Sequence, residues 1–165
     1  VKILDTGKNI EKIRTKVLNQ INRSKIVVEN SSKIEISHHY GIEKFYKYGM
    51  CMITVINSSY CKKILFLQKN QIHPEQYHKK KEETFFILFG KVKLTIQDKK
   101  SKKNIILKVG DKITIKPNQI HSFISVSNGG SIIEELSSKS IKSDSYYLDK
   151  RITKNKKRKS FISLY

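Results

Sequence analysis

A chain of 165 residues is long enough to bury about two thirds of its unfolded surface in one domain. No apolar run approaches the roughly 18 residues of a membrane span, and no secretory leader is read at its start, so the expectation is a soluble, cytoplasmic protein. Lys plus Arg number 34 against 14 Asp plus Glu, a formal net charge of +20, which suits an anionic partner.

Arginines are few and the lysines are spread through turns as well as clustered, so nucleic acid is the weaker reading of this charge. A sugar phosphate or acidic sugar uses the same field more economically, and the abundance of Lys, Ile, Asn and Ser is also what AT-rich coding produces. The first element is an amphipathic helix over residues 8–22, with Ile10, Ile13, Val17, Leu18 and Ile21 at spacings of three and four. It is expected to cap the body of the fold. Asn22 to Ser24 end it, and Lys25 to Val28 read as extended. Between Gly41 and Gly49 one or two helical turns are expected. His38 and His39 precede them and, as neighbours, face opposite ways on a strand; packing or capping is the reading for both.

From Met50 the pattern changes to short strands: 50–57, 60–68, 84–90, 91–97, 104–109, 112–116, 122–127 and 131–137, separated by turn residues such as Asn57-Ser-Ser, Gly110-Asp111 and Pro117-Asn118. About eight strands without intervening helices indicate a double-sheet jelly roll. Cys51 and Cys61 lie in two of them and read as buried free thiols, a bridge between neighbouring strands being the alternative. The tail from Ser137 to Tyr165 carries the basic run Lys150 to Lys159, for which a solvated end is expected. The closing Phe161, Ile162, Leu164 and Tyr165 suggest instead a return to the body or to a partner subunit. The chain divides into 1–33, helix and linker; 34–150, the β-barrel; and 151–165, a basic tail.

The chemistry concentrates in His73-Pro-Glu-Gln-Tyr-His-Lys-Lys-Lys-Glu-Glu83. Gln76 and His78 lie two apart and share a face on a strand. Glu83 opens the next strand in phase with Phe85, Ile87 and Phe89, and His121 follows the Pro117-Asn118 turn. Two imidazoles, a carboxylate and an amide oxygen from Gln76 make a mixed set suited to a divalent Zn, Mn, Fe, Ni or Co ion. The alternative is a barrel with two satisfied core histidines and an ion-paired glutamate. His73, on the opposite parity in a regular strand, is either a further contact to the site or a surface histidine.

Gln76-x-His78-x4-Glu83-x6-Gly90, followed by Gly110, Lys116, Asn118, His121 and Ser125, resembles the paired motifs of the cupin superfamily. Gln76 stands for the first histidine, Lys116 for a proline, Asn118 for a glycine and Ser125 for an asparagine. Asn is a workable stand-in for Gly because it visits the left-handed conformation. Ser37 to Phe45, Tyr60 to Lys63, His73 to Phe85, Glu134-Glu135 and Asp144 to Tyr147 look like the cupin domain of sialic-acid-synthase-like proteins, a subgroup similar to D-lyxose isomerase-type sugar isomerases. Arg-Glu is expected there at Ser58-Ser59, and a histidine at Ser140.

The resemblance implies a mainly β fold, a double-stranded β-helix or cupin jelly roll with a short N-terminal helical segment. It also implies a divalent metal at Gln76, His78, Glu83 and His121, a small sugar, sugar acid or sugar phosphate as partner, and an aldose–ketose isomerase of surface-polysaccharide or acidic-sugar metabolism. Glu134 and Glu135 are adjacent on the last strand, and parity does not choose between them. Glu135 is taken as the base, with Lys81 as its electrostatic partner. The alternative function is a non-catalytic sugar-binding or regulatory module, with or without metal. A homodimer is expected, since exposed strand edges favour pairing.

Overall fold

The computed structural model describes residues 2–165, with side chains from Gly7 onward. The helix α1 (Lys2–Ser24) opens the chain and β1 (Lys33–His38) follows it. After a single 3-10 turn and the short α2 (Phe45–Tyr48) come β2 (Gly49–Asn57), β3 (Tyr60–Leu67), β4 (Ile72–Tyr77), β5 (Glu83–Phe89), β6 (Lys91–Gln97) and β7 (Lys102–Lys108). The series continues with β8 (Lys112–Ile115), β9 (Ile120–Ser125), β10 (Ser131–Ser138), β11 (Tyr146–Tyr147), α3 (Lys150–Lys154) and β12 (Lys159–Ser163). All strand pairings are antiparallel, in a seven-stranded sheet ordered β12-β1-β2-β3-β10-β5-β8 and a five-stranded sheet ordered β11-β4-β9-β6-β7. This is the double-sheet barrel expected from the strand spacing.

The larger sheet is buried on both faces, and its residues sort by parity into two cores. Met50, Leu65, Leu67, Phe85, Ile87 and Ile133 point inward to meet Val92, Leu94 and Phe123 of the smaller sheet. Their neighbours Cys51, Ile53, Ile64, Phe66 and Ile132 point outward and pack under Ile13, Val17 and Ile21 of α1. The helix therefore covers the outer face of the large sheet, and two-sided cover explains why Ile64-Leu-Phe-Leu67 is an unbroken apolar run. Cys51 and Cys61 are both buried and unbridged, as they sit opposite Phe66 and Asn57 across the β2–β3 ladder.

The basic tail is not a solvated end. β12 adds to β1 with Phe161 opposite Glu35, and Leu164 is fully buried beside Ile34 and Ile36. At the turn before β9, Asn118 adopts φ 68°, the left-handed conformation that a glycine would supply. That turn sets where β9 begins, and so where His121 sits.

Candidate metal centre

His78, at the end of β4, Glu83, at the start of β5, and His121, on β9, converge on one point inside the barrel. One ligand atom from each lies within 4.8 Å of the others, and all three residues are buried. His121 Nε2 is 2.9 Å and His78 Nε2 3.5 Å from Glu83 Oε1. These contacts lack hydrogen-bond geometry: Glu83 Oε1 and His78 Nε2 are buried atoms with no hydrogen-bond partner.

The opposite edge of each ring explains why. His78 Nδ1 donates to the Asp144 carbonyl at 2.7 Å and His121 Nδ1 to the Gln119 carbonyl at 3.1 Å. A ring that carries its proton on Nδ1 turns the Nε2 lone pair inward. Two nitrogen lone pairs and a carboxylate oxygen then face one another, an arrangement that a cation between them relieves. Separations of 2.9 and 3.5 Å also match neighbouring ligands of an ion bound at about 2.0–2.2 Å from each. The donor set fits a divalent metal.

Gln76 belongs to the same wall, its Nε2 3.4 Å from His121 Nε2. Turning the amide over presents its oxygen to the same space. The second oxygen of Glu83 is held by Lys81, whose Nζ lies 2.5 Å from Oε2 and 2.8 Å from Glu135 Oε1. Burial opposes ionisation of Glu83, but the Lys81 ammonium outweighs it and holds the carboxyl well below the usual range. Burial likewise opposes the charge on Lys81, and the paired carboxylates of Glu135 and Glu83 raise its pKa overall.

The adjacent pair on β10 splits by face. Glu134 points out to Lys62 at 2.6 Å, whereas Glu135 points into the cavity, where Lys63 lies 3.8 Å away on its other side. The cavity encloses about 420 Å3 and takes in Gln76, His78, Lys81, Glu83, Glu135 and Ser140. His121 sits behind this wall.

His73 is neither on the opposite face nor at the surface. The β4–β9 register shifts between His73 and Gln76, at Pro74, and the irregularity turns His73 inward. It is buried, stacks on Phe123 with ring centroids 4.6 Å apart, and meets His39 edge-on at 5.0 Å. Burial first, then neighbouring His39, keeps its pKa well below the ordinary value. His39 in turn places Nδ1 at 2.7 Å from the Tyr48 carbonyl and Nε2 at 3.3 Å from the Tyr147 hydroxyl.

Asp144 escaped the site residues read from sequence. Besides offering its carbonyl to His78, its carboxylate accepts the backbone N–H groups of Lys79, Lys80 and Lys81 at 2.9–3.2 Å. It thereby shapes the turn between His78 and Glu83. No short-range pattern announces this, because the two segments are far apart in the chain.

Comparison with known proteins agrees with this architecture. Residues 64–133 match the family model described as the Cupin domain. The chain is 27% identical over 173 aligned positions to a D-lyxose ketol-isomerase of Thermofilum sp. (strain ex4484_79), covering 89% of this chain and 95% of that protein. Among solved structures, the L-ribose isomerase of Cellulomonas parahominis superposes with a TM-score of 0.72 at 10% identity, over 90% of this chain and 94% of that one. The L-ribose isomerase of Acinetobacter sp. DL28, in complex with L-ribose, gives 0.71 at 10% identity, over 89% and 94%. The protein thus has the cupin fold, and over most of its length it is similar to cupin sugar isomerases.

Proposed function

We propose that this protein is a metal-dependent isomerase that interconverts an aldose and a ketose. The observation that carries the reading is the convergence of two inward lone pairs and a carboxylate oxygen in the same cavity as an independent carboxylate, Glu135, held by Lys81. The similarity to a D-lyxose ketol-isomerase over nearly the whole chain supports a sugar as substrate.

In this reading His78, Glu83 and His121 hold a divalent ion, with Gln76 as an added oxygen ligand. The ion supplies Lewis-acid polarisation of the sugar's carbonyl and neighbouring hydroxyl oxygens. Glu135 takes the proton from the carbon next to the aldehyde and returns it to the former carbonyl carbon, while a hydroxyl proton passes from the second oxygen to the first. Lys81 fixes the Glu135 carboxylate and balances its charge. The buried walls keep most water from the enediol between the two transfers. Surface-polysaccharide or acidic-sugar metabolism is the setting proposed, and a homodimer that covers an edge strand such as β7, β8 or β12 the assembly.

Incubation of the metal-supplemented protein with a panel of pentoses and hexoses, read by ketose formation, tests the reading. Ketose from one sugar, lost in Glu135→Gln, is expected; no ketose from any sugar overturns it. A second reading, a sugar-binding module without turnover, is favoured by the amide of Gln76 near His121 in place of a third imidazole. Sugar binding without ketose would select it.

A further inference from the structure

The cavity's rim is more basic than the reaction needs. Lys63, Lys81, Lys142, Lys156, Arg158 and Lys159 all line it, against the carboxylates Glu83 and Glu135. Several of these cations are already engaged: Lys81 by both carboxylates, Lys63 near Glu135, and Lys159 by Glu35 at 2.5 Å. Among the described residues, Lys142, Lys156 and Arg158 pair with no carboxylate.

These residues are not loose surface charges. Arg158 is half-buried, its guanidinium over the Tyr147 ring at 4.9 Å from the centroid, and its carbonyl accepts His38 N–H at 2.8 Å. Asn155 Nδ2 donates to the His39 carbonyl at 3.2 Å, and Ile152 and Leu164 anchor the segment on both sides. Tyr147, beneath Arg158, pairs in register with Gln76, so the guanidinium lies one strand away from the proposed metal wall. Lys142 follows Ile141 in the turn that ends at Asp144. One fixed face of the cavity therefore gathers unpaired positive charge around a single preorganised guanidinium, whose planar fork matches a phosphate or carboxylate.

We infer that the substrate carries an anionic group, a phosphate or a carboxylate, at the end remote from the reacting carbons, and that Arg158 with Lys156 and Lys142 binds it. The inference deepens the sugar-isomerase reading and rests on it for the rest of the ligand. A cavity of about 420 Å3 holds one such small molecule, within the roughly 300–1,000 Å3 usual for ligand pockets.

The test is calorimetry on the full chain, supplemented with divalent metal, with an aldohexose, its 6-phosphate, its uronic acid and inorganic phosphate as probes. The 6-phosphate or the uronic acid should bind at least tenfold more tightly than the neutral sugar, and the arm that does so identifies the anion. Arg158→Gln should remove that preference while leaving neutral-sugar binding and the melting temperature in place, and Arg158→Lys should keep much of it. Equal affinities for neutral and charged sugars, no binding by any probe, or a preference unchanged in Arg158→Gln overturns the inference. An anion preference without ketose formation keeps the anion site and removes the isomerase reading; ketose from neutral sugars at equal affinity does the reverse.

Discussion

The carbonyl of Asp144 accepts His78 Nδ1 at 2.7 Å, across 66 residues of sequence. With its carboxylate on the N–H groups of Lys79 to Lys81, Asp144 fixes both the ring of one proposed ligand and the turn leading to the next. Asp144→Ala removes the carboxylate and keeps the carbonyl. Orphaning these N–H groups should cost about 1–3 kcal/mol, and the loosened turn should weaken metal binding about 10–100-fold. Urea unfolding and a competitive metal titration check the two effects, and Asp144→Asn, which retains one acceptor oxygen, should fall between.

Lys81 joins two buried carboxylates, so its loss leaves both uncompensated. Lys81→Met is expected to destabilise the fold by about 3–5 kcal/mol. Glu135→Gln, which leaves Lys81 on Glu83, should keep the metal and lower the rate of ketose formation by about 10²–10⁴-fold. Metal analysis alongside rate measurement separates these cases. Loss of metal in Glu135→Gln would place that residue in the wrong role.

The fold also predicts acid sensitivity from His39 and His73. Burial lowers the His39 pKa to about 4, against the opposing hydrogen bond to the Tyr48 carbonyl, and lowers His73 further. Between the unfolded value near 6.5 and the folded value, only the unfolded chain takes up the proton. The stability is therefore fully present above about pH 6.5 and is lost as pH falls toward 4. His39 alone should contribute a loss of about 2 kcal/mol by pH 5. Urea midpoints at pH 7.5 and pH 5 measure it, and His39→Gln should narrow the difference; an unchanged difference contradicts the account.

Leu164 is fully buried beneath α1 and beside the β1 pairings of the tail. Leu164→Ala should cost about 2–5 kcal/mol, whereas a solvated tail would make the change silent. Thermal unfolding of the variant decides between them.

The barrel was legible because its central strands alternate and are punctuated by turns, and the ligand spacing was legible because Gln76, His78, Glu83 and His121 flank two of those turns. What sequence alone misplaced has local causes. The bulge at Pro74 reversed the side on which His73 lies, an irregularity that parity arguments cannot anticipate. Choosing between Glu134 and Glu135 needed the register of β10 against β3 and β5. Lys159 to Ser163 is basic enough to read as tail, and only pairing with distant β1 makes it a strand. Asp144 was quoted within the resembling block, but its role depends on a contact that spacing does not encode.

The account turns on metal at the convergence of His78, Glu83 and His121. The most direct measurement is the divalent metal content of the purified full chain and of His78→Ala, by elemental analysis after dialysis. About one ion per chain in the wild type and a large loss in His78→Ala are predicted. A wild type that retains no divalent metal, even after supplementation, or a His78→Ala variant that retains it in full, would contradict the proposed centre.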